Sequence, residues 1–166
     1  MKYERFEYLP VWNTAIDIAS QVYAMTRDRY FSQSGDLRDQ LRRAALSISN
    51  NIAEGFERGS TAELIAYLYI ARGSAGEIRS MLHFIERDPV SEHLESEISN
   101  LKSLSENCSR QIRGWADHLQ NTEIKGQRHL TERSREAHER TKSAAAFMRQ
   151  LDEIVRRGKE TKAQPD

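Results

Sequence analysis

Apolar residues recur at three- and four-residue steps along most of this chain, with charged residues between them, which is the signature of amphipathic helices. The first run starts at Pro10, a residue suited to a first helical turn, and predicts a helix to about Tyr30. Its inner stripe would be Trp12, Ala15, Ile16, Ala19, Val22, Tyr23 and Thr26. Ser32 to Gly35 reads as a loop, with Asp36 as the N-cap of a second helix. That helix gathers Leu37, Leu41, Ala44, Ala45, Ile48, Ile52 and Phe56 on one face and ends near Gly55. Ser60, with Glu63 three residues on, forms a capping box that opens a third helix. Its seam, Leu64, Leu68, Ala71, Ala75, Ile78, Leu82 and Ile85, steps by fours and threes like a heptad. Asp88-Pro89 stops it. Ser91 then caps a fourth helix whose seam is Leu94, Ile98, Leu101, Ser105, Cys108, Ile112, Trp115 and Leu119. Four amphipathic helices joined by short turns predict an all-α fold, an up-down-up-down four-helix bundle.

Helices two and three also carry residues that a plain amphipathic helix would not need. Leu46, Asn50 and Ala53 fall among the charges of helix two and point to a second contact surface. Ala66, Gly73, Gly76 and Ser80 lie beside the seam of helix three. A helical Gly costs about 1 kcal/mol relative to Ala, so Gly73 and Gly76 imply the close approach of another helix backbone. Leu46, Asn50, Ala53, Gly73 and Gly76 are therefore the candidate oligomer interface. Ser47, Asn51 and Glu54 share a flank of helix two near Arg43. Polar groups at the edge of a core must be satisfied, so they are expected to bond helix two to helix three or to a neighbouring subunit. A polar binding surface is the alternative.

The pattern changes after residue 119, which divides the chain into a bundle (1–119) and an additional C-terminal helix or tail (120–166). Residues 120–130 are polar and read as a hinge. From Thr131 to Arg157 a weaker heptad returns through Ala137, Ala144, Met148, Leu151 and Val155, with Gly158 as its stop. This is either a fifth, partner-docked helix or a partly helical tail. Phe147, Met148, Leu151 and Val155 supply its bulk and are the candidate docking residues.

Composition narrows the chemistry. The chain has 166 residues, enough for one domain with a real core, and 30% of them are charged. The longest apolar run, Leu64 to Ala71, is far short of the ~20 residues that span a membrane. With a mean hydropathy of −0.74 and no apolar signal core near the start, the expectation is a cytoplasmic protein without a membrane partner. Net charge is zero, but residues 1–120 hold 14 Lys/Arg against 17 Asp/Glu, and residues 121–166 hold 11 against 8. The bundle is thus not the basic domain that a dedicated nucleic-acid binder shows. Arg38, Arg42, Arg43, Arg58 and Arg72 are its best candidates for contacting phosphate, since each guanidinium forms a bidentate fork. Asp36, Asp39, Glu54 and Glu57 are near enough in sequence to pair with them instead.

Catalysis and cofactors find little support. Carboxylate-bridged metals in bundles use Glu-x-x-His on inward faces, and none of the five His has Glu three residues before it. Cys108 is the single thiol, and its seam position makes it a packing residue. There is no phosphate loop, nucleophile elbow or dinucleotide fingerprint. A non-enzyme without cofactor is expected.

Two motifs carry a family resemblance. Gln40, Arg42, Arg43, Ala44, Ala45, Ser47, Ile48, Asn51, Ile52, Ala53, Glu54 and Gly55 match a run Q-x-R-R-A-A-x-S-I-x-x-N-I-A-E-G. Ser60, Glu63, Tyr67, Leu68, Ile70, Ala71, Gly73, Ser74 and Glu77 match the S-x-x-E and F/Y-L-x-I-A-x-G-S-x-x-E that follow it, and Val11-Trp12 fits upstream. The chain, over roughly residues 6–119, resembles the four-helix-bundle proteins encoded in intervening sequences of bacterial 23S ribosomal RNA genes. It departs from them at Ser49, where proline is common, and at Met81, where glutamine is frequent. The resemblance extends to the accessory variability determinants of diversity-generating retroelements. It implies a homo-oligomer, a pentameric ring, that binds or scaffolds RNA or a nucleic-acid enzyme such as a reverse transcriptase. The alternative is a purely structural module that docks a protein partner through its C-terminal helix.

Overall fold

A computed structural model describes residues 4–121 and the helical positions 140, 143, 144, 147 and 148. The chain divides into two compact units, Met1–Gln127 and Arg128–Asp166. In the first, four helices follow one another: α1 (Pro10–Met25), α2 (Gly35–Glu57), α3 (Thr61–Ile85) and α4 (Glu95–Gln120). Each packs on the next, and α4 closes back on α1. With short connections between them this is the up-down-up-down bundle that the periodicity predicts. Among the described residues every regular element is helical.

The core faces of α2, α3 and α4 follow their apolar periodicity. All seven seam residues of α3, from Leu64 to Ile85, have no exposed surface. In α2, Leu41, Ala44, Ala45, Ile48, Ile52 and Phe56 are buried, and Leu37 packs at the edge. In α4 the buried line is Ile98, Leu101, Ser105, Cys108, Ile112 and Ala116, with Trp115 and Leu119 half-buried. Ser49, the departure from the family pattern, is buried too, and its hydroxyl donates to the Leu46 carbonyl at 3.1 Å.

α1 differs from its expectation in length and rotation. It ends at Met25, where the Thr26 hydroxyl donates back to the Val22 carbonyl at 2.7 Å. Asp28 then caps a 3-10 turn, Arg29–Ser32, by accepting from the Tyr30 amide at 2.8 Å. The buried line is Val11, Ala15, Ile18, Ala19, Val22 and Met25, while Trp12, Ile16 and Tyr23 sit at its margin. The large amphipathic rings belong at the margin for a reason. Trp12 stacks edge-on against Phe6 at 5.3 Å, and Tyr23 lies 4.9 Å beneath the Arg42 guanidinium. Phe31, in the turn, is 1% exposed and closes the core at this end.

The caps are also corrected in part. Ser34, not Asp36, is the N-cap of α2, without a side-chain bond, and Asp36 lies in the first turn. There its charge still favours the positive end of the helix. Ser60 caps α3 as expected, accepting from the Glu63 amide at 3.3 Å, but its hydroxyl also donates to the Glu63 carboxylate at 2.7 Å. α3 stops at Ile85, three residues before Asp88. Asp88 instead caps a second 3-10 turn, Pro89–Leu94, in which the Ser91 hydroxyl donates to the carbonyls of Ile85 and Asp88. Ser91 therefore ties α3 to this turn, and Leu94 takes the cap position of α4.

The glycines differ in their surroundings within the bundle. A Cβ on Gly73 or Gly76 would meet nothing within 4 Å, so no other part of the bundle approaches them. The close approach is at Gly55, where a Cβ would stand 2.7 Å from Tyr67 Cβ and 3.2 Å from Leu64 Cδ1. Here the missing side chain lets α2 and α3 converge near their connection.

Candidate functional site

The motif residues of α2 and α3 meet along one polar strip between the two helices. At one end Gln40 donates to the Glu77 carboxylate at 2.9 Å. In the middle, Asn51 donates to the Ser47 carbonyl at 2.7 Å and to its hydroxyl at 3.0 Å. The Ser47 and Ser74 hydroxyls lie 2.9 Å apart, and Ser74 donates onward to the Ile70 carbonyl at 3.2 Å. Since a hydroxyl has one proton, this orders the relay from Asn51 through Ser47 and Ser74 to Ile70. The network anticipated for Ser47, Asn51 and Glu54 thus binds α2 to α3.

At the other end, beside Gly55, one carboxylate holds two partners. Glu54 Oε1 accepts from the Tyr67 hydroxyl at 2.7 Å and from Arg58 Nη2 at 2.6 Å. Arg58 Nη2 also donates to the Tyr67 oxygen at 2.8 Å, with its guanidinium 5.1 Å from the ring centre. The Tyr67 hydroxyl first, and Arg58 next, hold the Glu54 carboxyl below its ordinary value. The bond to Glu54 and partial desolvation push the Tyr67 phenol upward. A lowered carboxyl stabilises the fold above its unfolded value and ceases to do so as pH falls through the folded one. Glu54→Gln should therefore lower the melting temperature at pH 7, with the difference from the parent chain closing as pH falls through the lowered value of the carboxyl. A difference independent of pH would show that the charge on Glu54 is not what fastens this corner.

The five candidate arginines are not brought together. Arg38 lies in the first turn of α2 and Arg58 just beyond its last residue, about 30 Å apart along the helix axis. Arg38 pairs with Asp39 at 3.0 Å and Arg58 with Glu54, both as the nearby acids suggest. Arg42 turns toward α1, donating to the Thr26 hydroxyl at 2.8 Å and to its carbonyl at 3.3 Å. Arg43 is exposed on α2, and Arg72 is half-buried on α3. Arg38, Arg42 and Arg58 therefore have structural partners, and Arg43 is exposed.

The interface candidates separate as well. Leu46 is 39% exposed, Asn50 is exposed and Ala53 half-buried. Leu46 and Ala53 follow Arg42 by four and eleven residues, on the flank of α2 nearer α1. Gly73 is exposed and Gly76 half-buried on the outer face of α3, so these are two surfaces. Of the docking candidates, Phe147 and Met148 are 62% and 57% exposed. Leu151 and Val155 lie outside the described residues, as do His129 and His138.

Burial decides the case of Cys108. It has no exposed surface, and desolvation pushes its thiol up to about 12, so it is not a thiolate at neutral pH. His83 and His93 are occupied by Glu86 at 3.2 Å and Asp28 at 3.0 Å. Among the described residues no three His, Cys, Asp or Glu side chains converge, and no helix is long and apolar enough to cross a membrane. The residues that sequence reasoning passed over are Tyr67, as the partner of Glu54, and Gln40, as that of Glu77. Their presence in the two motifs was the available signal.

The arrangement defines an all-α four-helix bundle whose second and third helices are joined by a polar strip built from its two motifs. The sequence matches the family described as 23S rRNA-intervening sequence protein over residues 7–114, and the chain belongs to that family. The match includes α1, α2 and α3 entire and most of α4. Comparison with curated proteins gives no match.

Proposed function

We propose that this protein is a non-enzymatic, self-associating four-helix-bundle module that binds or scaffolds RNA or a nucleic-acid enzyme such as a reverse transcriptase. The observation that carries the reading is membership of the 23S rRNA-intervening sequence family across the four helices. Exposed Arg43 supports it, as does the net basic charge of residues 121–166. Arg72 extends the set of cations offered to phosphate, whereas Arg38 is paired with Asp39 and Arg42 and Arg58 act within the bundle.

Salt dependence is the test. A footprint of three phosphate contacts on single-stranded RNA loses about 20-fold in affinity between 50 and 200 mM salt, and on a duplex about 40-fold. The full chain should show such a slope in filter binding, and Arg43→Ala should flatten it. Absence of RNA affinity even at low salt would remove the reading.

A second reading, docking of a protein partner through the C-terminal segment, is favoured by the exposure of Phe147 and Met148. It predicts a partner retained at high salt and lost from a chain ending at Gln120.

A further inference from the structure

Two arginines of α3 stand without a counterion. Steps of three, four and seven put Tyr69, Arg72, Gly76, Arg79 and Glu86 in one row along that helix. The row faces α4, since Gln120 donates to the Tyr69 hydroxyl at 2.9 Å and Lys102 to the Glu86 carboxylate at 2.5 Å. Arg72 and Arg79 are half-buried, and among the described residues neither has a hydrogen bond or an ion pair. Arg79 Nε is shut off from solvent with no acceptor. The acids of the groove are taken by other cations: Glu86 by Lys102, Glu106 by Arg110 at 3.2 Å and Asp117 by Arg113 at 3.5 Å. A guanidinium that has given up part of its water is ordinarily paired. Here the bundle supplies no partner, and what the two arginines lack is an anion from outside it.

The residues around them identify its class. Gly76 lies between the arginines, and a Cβ on it would meet nothing within 4 Å. The missing side chain leaves the space between the two arginines open, which gives a helix-weakening residue a purpose at this point. Tyr69 ends the row 42% exposed, with its hydroxyl already fixed by Gln120. Arginines that follow a backbone, beside an aromatic ring on which a base stacks, are the means by which single strands are held. We infer that the groove between α3 and α4 binds a single-stranded segment of RNA, with Arg72 and Arg79 each taking a backbone phosphate across Gly76 and the Tyr69 ring stacking an unpaired base. Arg72 and Arg79 are about 10.5 Å apart along the helix axis, so each serves its own phosphate through its bidentate fork. Gly76, a candidate for subunit contact on sequence, belongs to this groove instead. Leu46, Asn50 and Ala53 lie on α2, outside the groove, so a subunit contact there and this site coexist. The inference rests on the RNA-binding reading proposed above and gives it a surface.

Fluorescence anisotropy of the full chain with a short labelled oligouridylate, between about 50 and 200 mM salt, tests it. Each phosphate contact on a single strand adds about 0.7 to the slope of log affinity against log salt. The affinity lost over this rise in salt should therefore shrink about 2.6-fold for Arg72→Gln or Arg79→Gln, and about sevenfold for the pair. Arg79→Lys, which keeps the charge, should keep the slope. Tyr69→Ala should weaken binding about 5- to 150-fold, the range for one stacked base, with the slope unchanged. Arg72 has no bond within the bundle to lose, so Arg72→Gln reads the site even where a variant at Arg79 unfolds. An RNA-bound double variant with the slope of the parent chain would overturn this surface and leave the RNA-binding reading standing. So would binding of a duplex RNA without binding of the oligouridylate. Dispersal of the oligomer by either arginine substitution, seen by light scattering, would assign the pair to a subunit contact and overturn the site. Binding of polyglutamate in place of the oligouridylate, lost on the same substitutions, would overturn it in favour of an acidic protein partner. Absence of affinity for both RNAs at low salt would overturn this inference together with the RNA-binding reading.

Discussion

Phe31→Ala should lower the stability of the bundle by about 3–5 kcal/mol, the usual loss when a buried phenylalanine is cut back to a methyl group. For a unit of this size that corresponds to a fall of roughly 10–20 °C in melting temperature. Phe31 is not part of a helix seam. It projects from the 3-10 turn between α1 and α2 into the end of the core, where it is 1% exposed. Its ring meets Tyr30 edge-on at 5.0 Å, and the Tyr30 hydroxyl donates to Asp88 at 3.1 Å, in the turn that leads to α4. The Asp88 and Ser91 bonds hold that turn in place, so the surroundings are poorly able to collapse into the space left by the ring. Phe31→Leu, which keeps most of the volume, should lose less than about 1.5 kcal/mol. Thermal melts followed by circular dichroism would measure both. A loss below 1 kcal/mol for Phe31→Ala would mean that Phe31 does not close the core.

Gly55→Ala should destabilise the bundle by about 1–3 kcal/mol, although alanine is the better helix former by about 1 kcal/mol. The added methyl would stand 2.7 Å from Tyr67 Cβ, an atom fixed to the backbone of α3, and 3.4 Å from the Leu64 carbonyl oxygen. No rotamer change relieves the first contact, so α2 and α3 must separate. Separation would also stretch the bonds that tie Glu54 and Arg58 to the Tyr67 hydroxyl. The same substitution at Gly73 has the opposite sign. With nothing within 4 Å, Gly73→Ala should raise the stability of the isolated bundle by up to about 1 kcal/mol. Urea denaturation at dilute concentration compares the two directly. Equal effects at both positions would refute the close approach at Gly55.

The first motif takes on a physical meaning in this light. Gly55 is required by contact, Glu54 by its two donors, and Asn51 and Ser47 by the relay to Ser74. These residues of the family pattern therefore explain the pairing of α2 with α3. Of the two adjacent motif arginines, Arg42 is held by Thr26 within the bundle, whereas Arg43 is exposed.

How much was legible from the residues alone depends on whether the information is local. The number of helices, the all-α class and the inward faces of α2, α3 and α4 follow from spacing within one segment, because 3.6 residues per turn maps each seam onto one side. Ser60 as a cap is local for the same reason. The outcomes decided by tertiary structure all depend on a second element. Trp12 and Tyr23 sit at the margin of α1 because Phe6 and Arg42 are there to meet them. Gly55 is the crowded glycine and Gly73 the open one because α2 and α3 converge near their connection and nothing in the bundle crosses the middle of α3 from outside. Phe31 becomes core only when the ends of α1 and α2 are brought over it. Helical periodicity states which way a side chain faces along its own axis. It contains no information on the register between two helices, and that register selected the partners of Glu54, Ser47 and Arg42.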